Sequence, residues 1–216
     1  GSHSLLTSLY NRLQPSRSSV QLIAAPGEQM IYSGGGYTVL QLLVEEITGE
    51  PFAQYMQREV LLPLNMQHST YAPDSETLEA TATAYGGFFG SRPSPNFRYT
   101  ALAAAGLYST GADLARFATA FIRPVSHPIL SEPLLSTMLA QELGIIEDQL
   151  HDGTVVHWHT GRNMGDWHAL YQIAPARGAA LVVLANGKGG NGVYAYLAEL
   201  WTQWLSGADA VSGTGE

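Results

Sequence analysis

Leu40, Leu43, Val44 and Ile47 recur at steps of three and four, the period of a helix with one apolar face, and Gly49 follows where a left-handed cap would end it. A second helix is predicted over 51–62, opened by Pro51 at a favoured first position and stopped before Pro63. Thr110-Gly111-Ala112-Asp113 has the T-x-x-D form of a helix start, and Leu114, Phe117, Ala118 and Phe121 then share one face. A shorter helix is predicted over 133–140, with Ser131 near its cap, and a final one carries Val193, Leu197, Leu200, Trp201 and Trp204 as a stripe. Residues 65–100, dense in Ser, Thr, Pro, Gly and aromatics, read as a long irregular excursion.

After residue 150 the period changes from helix to strand. Residues 154–159, 167–174 and 179–185 are predicted strands, separated by Asn163-Met164-Gly165-Asp166 and Pro175-Ala176-Arg177-Gly178, which supply turn chemistry. Connections this short make the strands antiparallel neighbours. Helices, then an antiparallel meander, then a helix point to an α+β fold. The helices and loops of 4–150 and the strands and last helix of 151–205 are expected to form one domain. Gly1-Ser2-His3 reads as the remnant of a cleaved affinity tag, and 206–216 as a flexible tail.

Composition narrows the function classes. Eighteen acidic against ten basic residues give a net charge of −8, which excludes a phosphate-binding basic face and so nucleic acid. No stretch approaches the roughly 20 apolar residues of a membrane span. Cysteine is absent, which removes disulfides, zinc–thiolate sites and thiol nucleophiles.

Four segments carry candidate chemistry. They are Pro26-Gly27-Glu28 through Tyr32-Ser33-Gly34-Gly35-Gly36-Tyr37; Pro63-Leu64-Asn65-Met66; Ala105-Gly106-Leu107-Tyr108-Ser109-Thr110 with Asp113-Leu114-Ala115; and His159-Thr160-Gly161 with Ala185-Asn186-Gly187 beyond it. In this order they resemble the penicillin-recognising serine hydrolases: class C β-lactamases, related esterases and D-amino-acid peptidases. The matching motifs there are P-G-E…Y-S-N-x-G-Y, P-L-G-M, G-G-L-x-S-T-x-x-D-L-A and H-x-G or K-T-G, and the resemblance runs from about residue 20 to 205. It implies a β-lactamase/transpeptidase-like fold, an antiparallel sheet flanked by helices plus a mostly helical lobe, with the cleft between them. It also implies acyl-enzyme chemistry on a small ester, amide or peptide substrate, no cofactor, and a periplasmic or secreted setting whose signal is not visible here.

The family's nucleophile, the serine of S-x-x-K, has no counterpart in this sequence. Lys188 is the lone lysine and Ala185 lies three residues before it. The chain is therefore expected to be the C-terminal portion of such an enzyme, lacking the N-terminal strands and the nucleophile helix, and inactive by itself. By resemblance, Tyr32 moves the serine's proton, and His159 hydrogen-bonds Tyr32 or holds a substrate carboxylate. Ser33 and Gly34 line the site, Thr160 and Gly161 wall the cleft, and the Arg162 N–H donates to the oxyanion. Gly34 replaces the family's asparagine and has no amide to bridge lysine and substrate, which favours esters over β-lactams. The glycine run 34–36 also permits close backbone approach and positive φ.

The sequence admits three other readings. His157 and His159, two apart on a strand and near His151 and His168, could chelate zinc, but no further ligand completes a shell, and no metal is expected. Gly187 through Gly192 fits G-x-G-x-x-G, yet no second strand follows to build a β-α-β unit, so it reads as a plain loop. A non-catalytic binding module on the same scaffold is the alternative to an enzyme. Finally, the apolar 179–185 strand is expected to expose an edge that pairs with a missing N-terminal segment or a second copy.

Overall fold

A computed structural model of the chain describes residues 20–122, 127–164 and 166–207. The tag remnant read at 1–3, and the tail from 208 onward, lie outside the described residues. Helix α1, Gly34–Thr48, starts where Ser33 adopts an extended backbone and its Oγ accepts from the Gly36 N–H at 2.9 Å. It ends at Gly49, whose φ of 69° lets its N–H reach the Glu45 carbonyl. The helix foreseen over 51–62 divides in two. Helix α2, Phe52–Met56, passes into a π-helical turn, Gln57–Leu61, after which Leu61, Leu64 and Met66 are buried. The excursion beyond holds helix α3, Ser75–Ala80, capped by Asp74, and a two-stranded ribbon, β1 Tyr85–Gly86 with β2 Arg92–Pro93.

Helix α4, Leu102–Ala105, is a single turn, and helix α5, Gly111–Ala120, is capped by Thr110, which accepts from the Asp113 N–H. Asp113 itself is fully buried. Its carboxylate accepts from the His68 N–H and the Ser69 hydroxyl, both at 2.8 Å, and from Arg116 at 2.5 Å, so the loop after Met66 is tied to α5. Helix α6 is Glu132–Ala140.

Among the described residues the sheet has four antiparallel strands rather than the three foreseen: β3 Ile146–Gln149, β4 Val155–Asn163, β5 Trp167–Ala174 and β6 Ala179–Ala185, in that spatial order. The extra strand, Ile-Glu-Asp-Gln, has one apolar residue and no alternation to find; its pairing with β4 makes it a strand. The sheet thus begins before residue 150, and the division drawn there falls inside the β3–β4 hairpin. Of the Gly187–Gly192 run, Gly187 to Gly189 lie in the loop after β6 and Gly190 to Gly192 open helix α7, Gly190–Leu205, with Gly187 bridged to Tyr85.

Helices cover both faces of the sheet. Ile173 and Tyr171 pack with Leu61, Leu64, Met66, Ala118, Phe121 and Ile145 on the side of α5 and α6, while Val156 and Ala174 pack with Leu205 and Trp201 on the side of α7. Helix α1 departs from its sequence pattern. Thr38 and Gln41 are its buried residues, while Leu40, Leu43 and Ile47 are 51%, 50% and 75% exposed. Two hydrogen bonds hold the polar face inward: Gln41 donates to the Thr100 carbonyl and accepts from the Ala103 N–H. No helix among the described residues is long and apolar enough to cross a membrane.

Candidate active site

Tyr32 sits two residues before α1, on the extended stretch that Ser33 turns into the helix. His159 lies on β4, 127 positions later. The fold brings them together: the rings stack with centroids 6.0 Å apart and planes at 30°. Helix α4 links the two elements: the Ala103 N–H donates to Gln41 of α1, and the carbonyl of Ala105 accepts from the Asn163 side chain at the end of β4 at 3.2 Å. One four-residue turn thus spans the tyrosine-bearing helix and the histidine-bearing strand.

Alternation along β4 divides the remaining candidates. His157, His159 and Gly161 share the face of Tyr171 and Ile173, toward the helical lobe, whereas Thr160 and Arg162 are one step out of phase and lie on the α7 face. Gly161 would place a Cβ 3.8 Å from that of Ala169, so the strand is smooth there without being crowded. Arg162 holds its guanidinium in solvent, 4.0 Å from Asp166. Strand β3 pairs with β4 only as far as Trp158, so residues 159–163 have, among the described residues, a strand neighbour on the β5 side alone. Ser33 spends its hydroxyl oxygen as the cap of α1. None of Gly34, Gly35 and Gly36 takes the positive φ that glycine permits; close approach is needed at Gly35, where a Cβ would come within 2.9 Å of Val20.

The histidines fall into separate surroundings. His157 is buried against β3 with its Nδ1 3.9 Å from Glu147; burial lowers its pKa, opposed by Glu147 and Glu142. His168 is buried on the opposite face, its ring against Gly190 at the start of α7, and burial with nearby Arg162 lowers its pKa. Among the described residues no three His, Asp or Glu side chains are grouped to hold a metal ion.

Two contributors went unseen in the sequence. Gln41 had one signal, a polar residue set within an apolar helix. Tyr171 had none, because its placement opposite His159 depends on the β4–β5 register. Its ring stacks on His159 at 6.5 Å.

Comparison with known proteins agrees with this architecture. The solved structure of an octameric penicillin-binding protein homologue from Pyrococcus abyssi superposes with a TM-score of 0.66 at 25% identity, over 77% of this chain and 41% of the other. A class C β-lactamase in complex with cefoxitin gives 0.57 at 18% identity, over 78% of this chain and 57% of the other, a likeness of fold. The D-alanyl-D-alanine-carboxypeptidase/endopeptidase AmpH of Escherichia coli is 30% identical over 100 residues, which cover 46% of this chain and 25% of that protein. The chain therefore spans from a quarter to 57% of the lengths of these relatives. The beta-lactamase family's sequence model matches residues 7–203, nearly the whole chain. The chain belongs to the beta-lactamase family.

Proposed function

We propose that this chain forms the tyrosine–histidine side of a serine acyl-transfer cleft, in a protein that hydrolyses a small ester or amide through an acyl-enzyme. The observation that carries this is the stacked contact of Tyr32 with His159, two residues far apart in sequence that converge at the junction of helical lobe and sheet. A phenol beside an imidazole can relay the proton that an attacking serine must lose and the leaving group must gain. Gly161 leaves the strand open to a substrate, and the Arg162 N–H, on the stretch of β4 beyond β3, is the donor assigned to the oxyanion. Gly34, set near Ala104, offers no amide side chain, which favours an ester substrate. Carboxypeptidase and β-lactamase names among the relatives fit acyl chemistry on small substrates.

The serine and its lysine come, in this proposal, from polypeptide beyond these 216 residues. Its docking place is the outer strand β6, which among the described residues has a strand partner only through β5 and whose Leu184 is exposed. A second copy is the other occupant, and octamer formation by the Pyrococcus homologue supports self-association at some surface.

Intact-mass measurement after incubation with penicillin-type and fluorophosphonate acylating probes tests the proposal. The chain alone is expected to show no adduct. A longer polypeptide carrying S-x-x-K acylates, and Tyr32→Phe slows it by on the order of 100-fold. A stoichiometric adduct on the chain alone, or an unchanged rate in Tyr32→Phe, would sink it. A longer polypeptide without S-x-x-K would instead favour the binding module.

A further inference from the structure

We infer that Tyr171 is a positioning residue that holds the His159 ring in the plane it presents to Tyr32; this rests on the site proposed above. Tyr171 and His159 are directly opposed across β5 and β4, on the same face of the sheet. Their rings stack at 6.5 Å with planes 24° apart, and His159 also stacks with Tyr32 at 6.0 Å and 30°. The imidazole thus neighbours two phenol rings, one exposed and one packed against the core.

The enclosed ring is the fixed one. Phe117 of α5 meets Tyr171 edge-on at 5.4 Å, and Phe121 meets Phe117 at 5.1 Å, so a row of aromatics anchored in the core ends at Tyr171. Burial, with Tyr37 nearby, pushes the Tyr171 hydroxyl's pKa up, so the ring stays uncharged. Tyr32, by contrast, is 75% exposed and has no such backing. Any apolar residue of similar volume would fill the core at this register. A flat face nearly parallel to the imidazole does something more: it restricts rotation of the His159 ring, whose terminal torsion is otherwise broad. The order of dependence runs from α5 to Tyr171 to His159 to the tyrosine at the cleft.

Side-chain NMR on the chain as it stands tests this without any catalysis. In the parent chain the His159 ring protons are expected to show upfield ring-current shifts and cross-peaks to both Tyr32 and Tyr171. Tyr171→Phe keeps them. Tyr171→Leu loses the shift and the Tyr32 cross-peaks, with the backbone amide spectrum away from the site unchanged. Should Tyr171→Leu fail to fold, Tyr32→Ala at the exposed position still decides: the His159–Tyr171 cross-peaks and the ring-current shift persist if Tyr171 is the anchor. Retained Tyr32 contacts in Tyr171→Leu, or a rotationally averaged His159 ring in Tyr32→Ala, would overturn the inference. Failure of the acylation experiment above, with these NMR results intact, would remove the enzymatic role and leave the positioning.

Discussion

His157 and His168 show at the scale of single residues how burial sets chemistry. Each is enclosed, and each has ring nitrogen without a hydrogen-bond partner among the described residues. Burial therefore favours the neutral form and lowers both pKa values from the ordinary 6.5, Glu147 and Glu142 acting against the shift at His157 and Asp166 at His168. A histidine that resists protonation when folded takes up protons more readily when unfolded. Its stabilising contribution is complete above about 6.5 and is lost as the pH falls from there toward the folded-state value. The urea midpoint is accordingly expected to be lower at pH 5 than at pH 7.5, and His168→Leu is expected to lessen the difference. An unchanged pH dependence in that variant would place the acid sensitivity elsewhere. None of this was legible beforehand. His168 was a metal-ligand candidate by its nearness in sequence to His157 and His159, but alternation and register put it on the other face of the sheet.

Helix α7 makes the corresponding point for elements. Its sheet side carries Trp201 and Leu205, packed over Val156 and Ala174. Val193, Tyr196, Leu200 and Trp204 lie about one residue's rotation around the helix and are exposed. The stripe read from the sequence mixed the two sides, since spacing alone does not say which arc meets the sheet. At its first turn the helix comes so close to β5 and β6 that a Cβ on Gly190 would lie 2.7 Å from the His168 ring and 3.0 Å from the Ala185 Cβ. Gly190→Ala is expected to cost roughly 1–3 kcal/mol by forcing the helix off the strands. Gly192, in the same turn, has nothing within 4 Å of that point. Gly192→Ala should be neutral or stabilise by up to about 1 kcal/mol through helix propensity. Thermal unfolding of the pair separates packing from propensity, and equal effects would refute the contact.

For the whole molecule, apolar surface is unevenly spent. Ile173, Ile145, Val156 and Met66 are almost wholly enclosed, while the outward side of α1 and the second side of α7 remain open. Stability should follow this division. Ile173→Ala is expected to cost about 2–5 kcal/mol, because it leaves a cavity where β5 meets α5. Leu43→Ala, at a half-exposed site, should stay within about 0.5 kcal/mol. Chemical denaturation of the two variants checks this; a comparable loss in Leu43→Ala would mean that α1's outer face is covered in solution.

What the sequence determined by itself was local or carried in motifs. Caps at Thr110 and Gly49, the turn chemistry between strands, the α+β order and the family resemblance all rest on neighbours a few residues apart, where backbone geometry and hydrogen bonding act directly. Tertiary structure alone decided the rest. It made a strand of the polar 146–149 segment, turned the Gln41 side of α1 inward, set Tyr171 beside His159, and brought Tyr32 to a strand 127 residues away. Each of these depends on which surfaces meet across the sheet, and no spacing along one chain encodes the register of two.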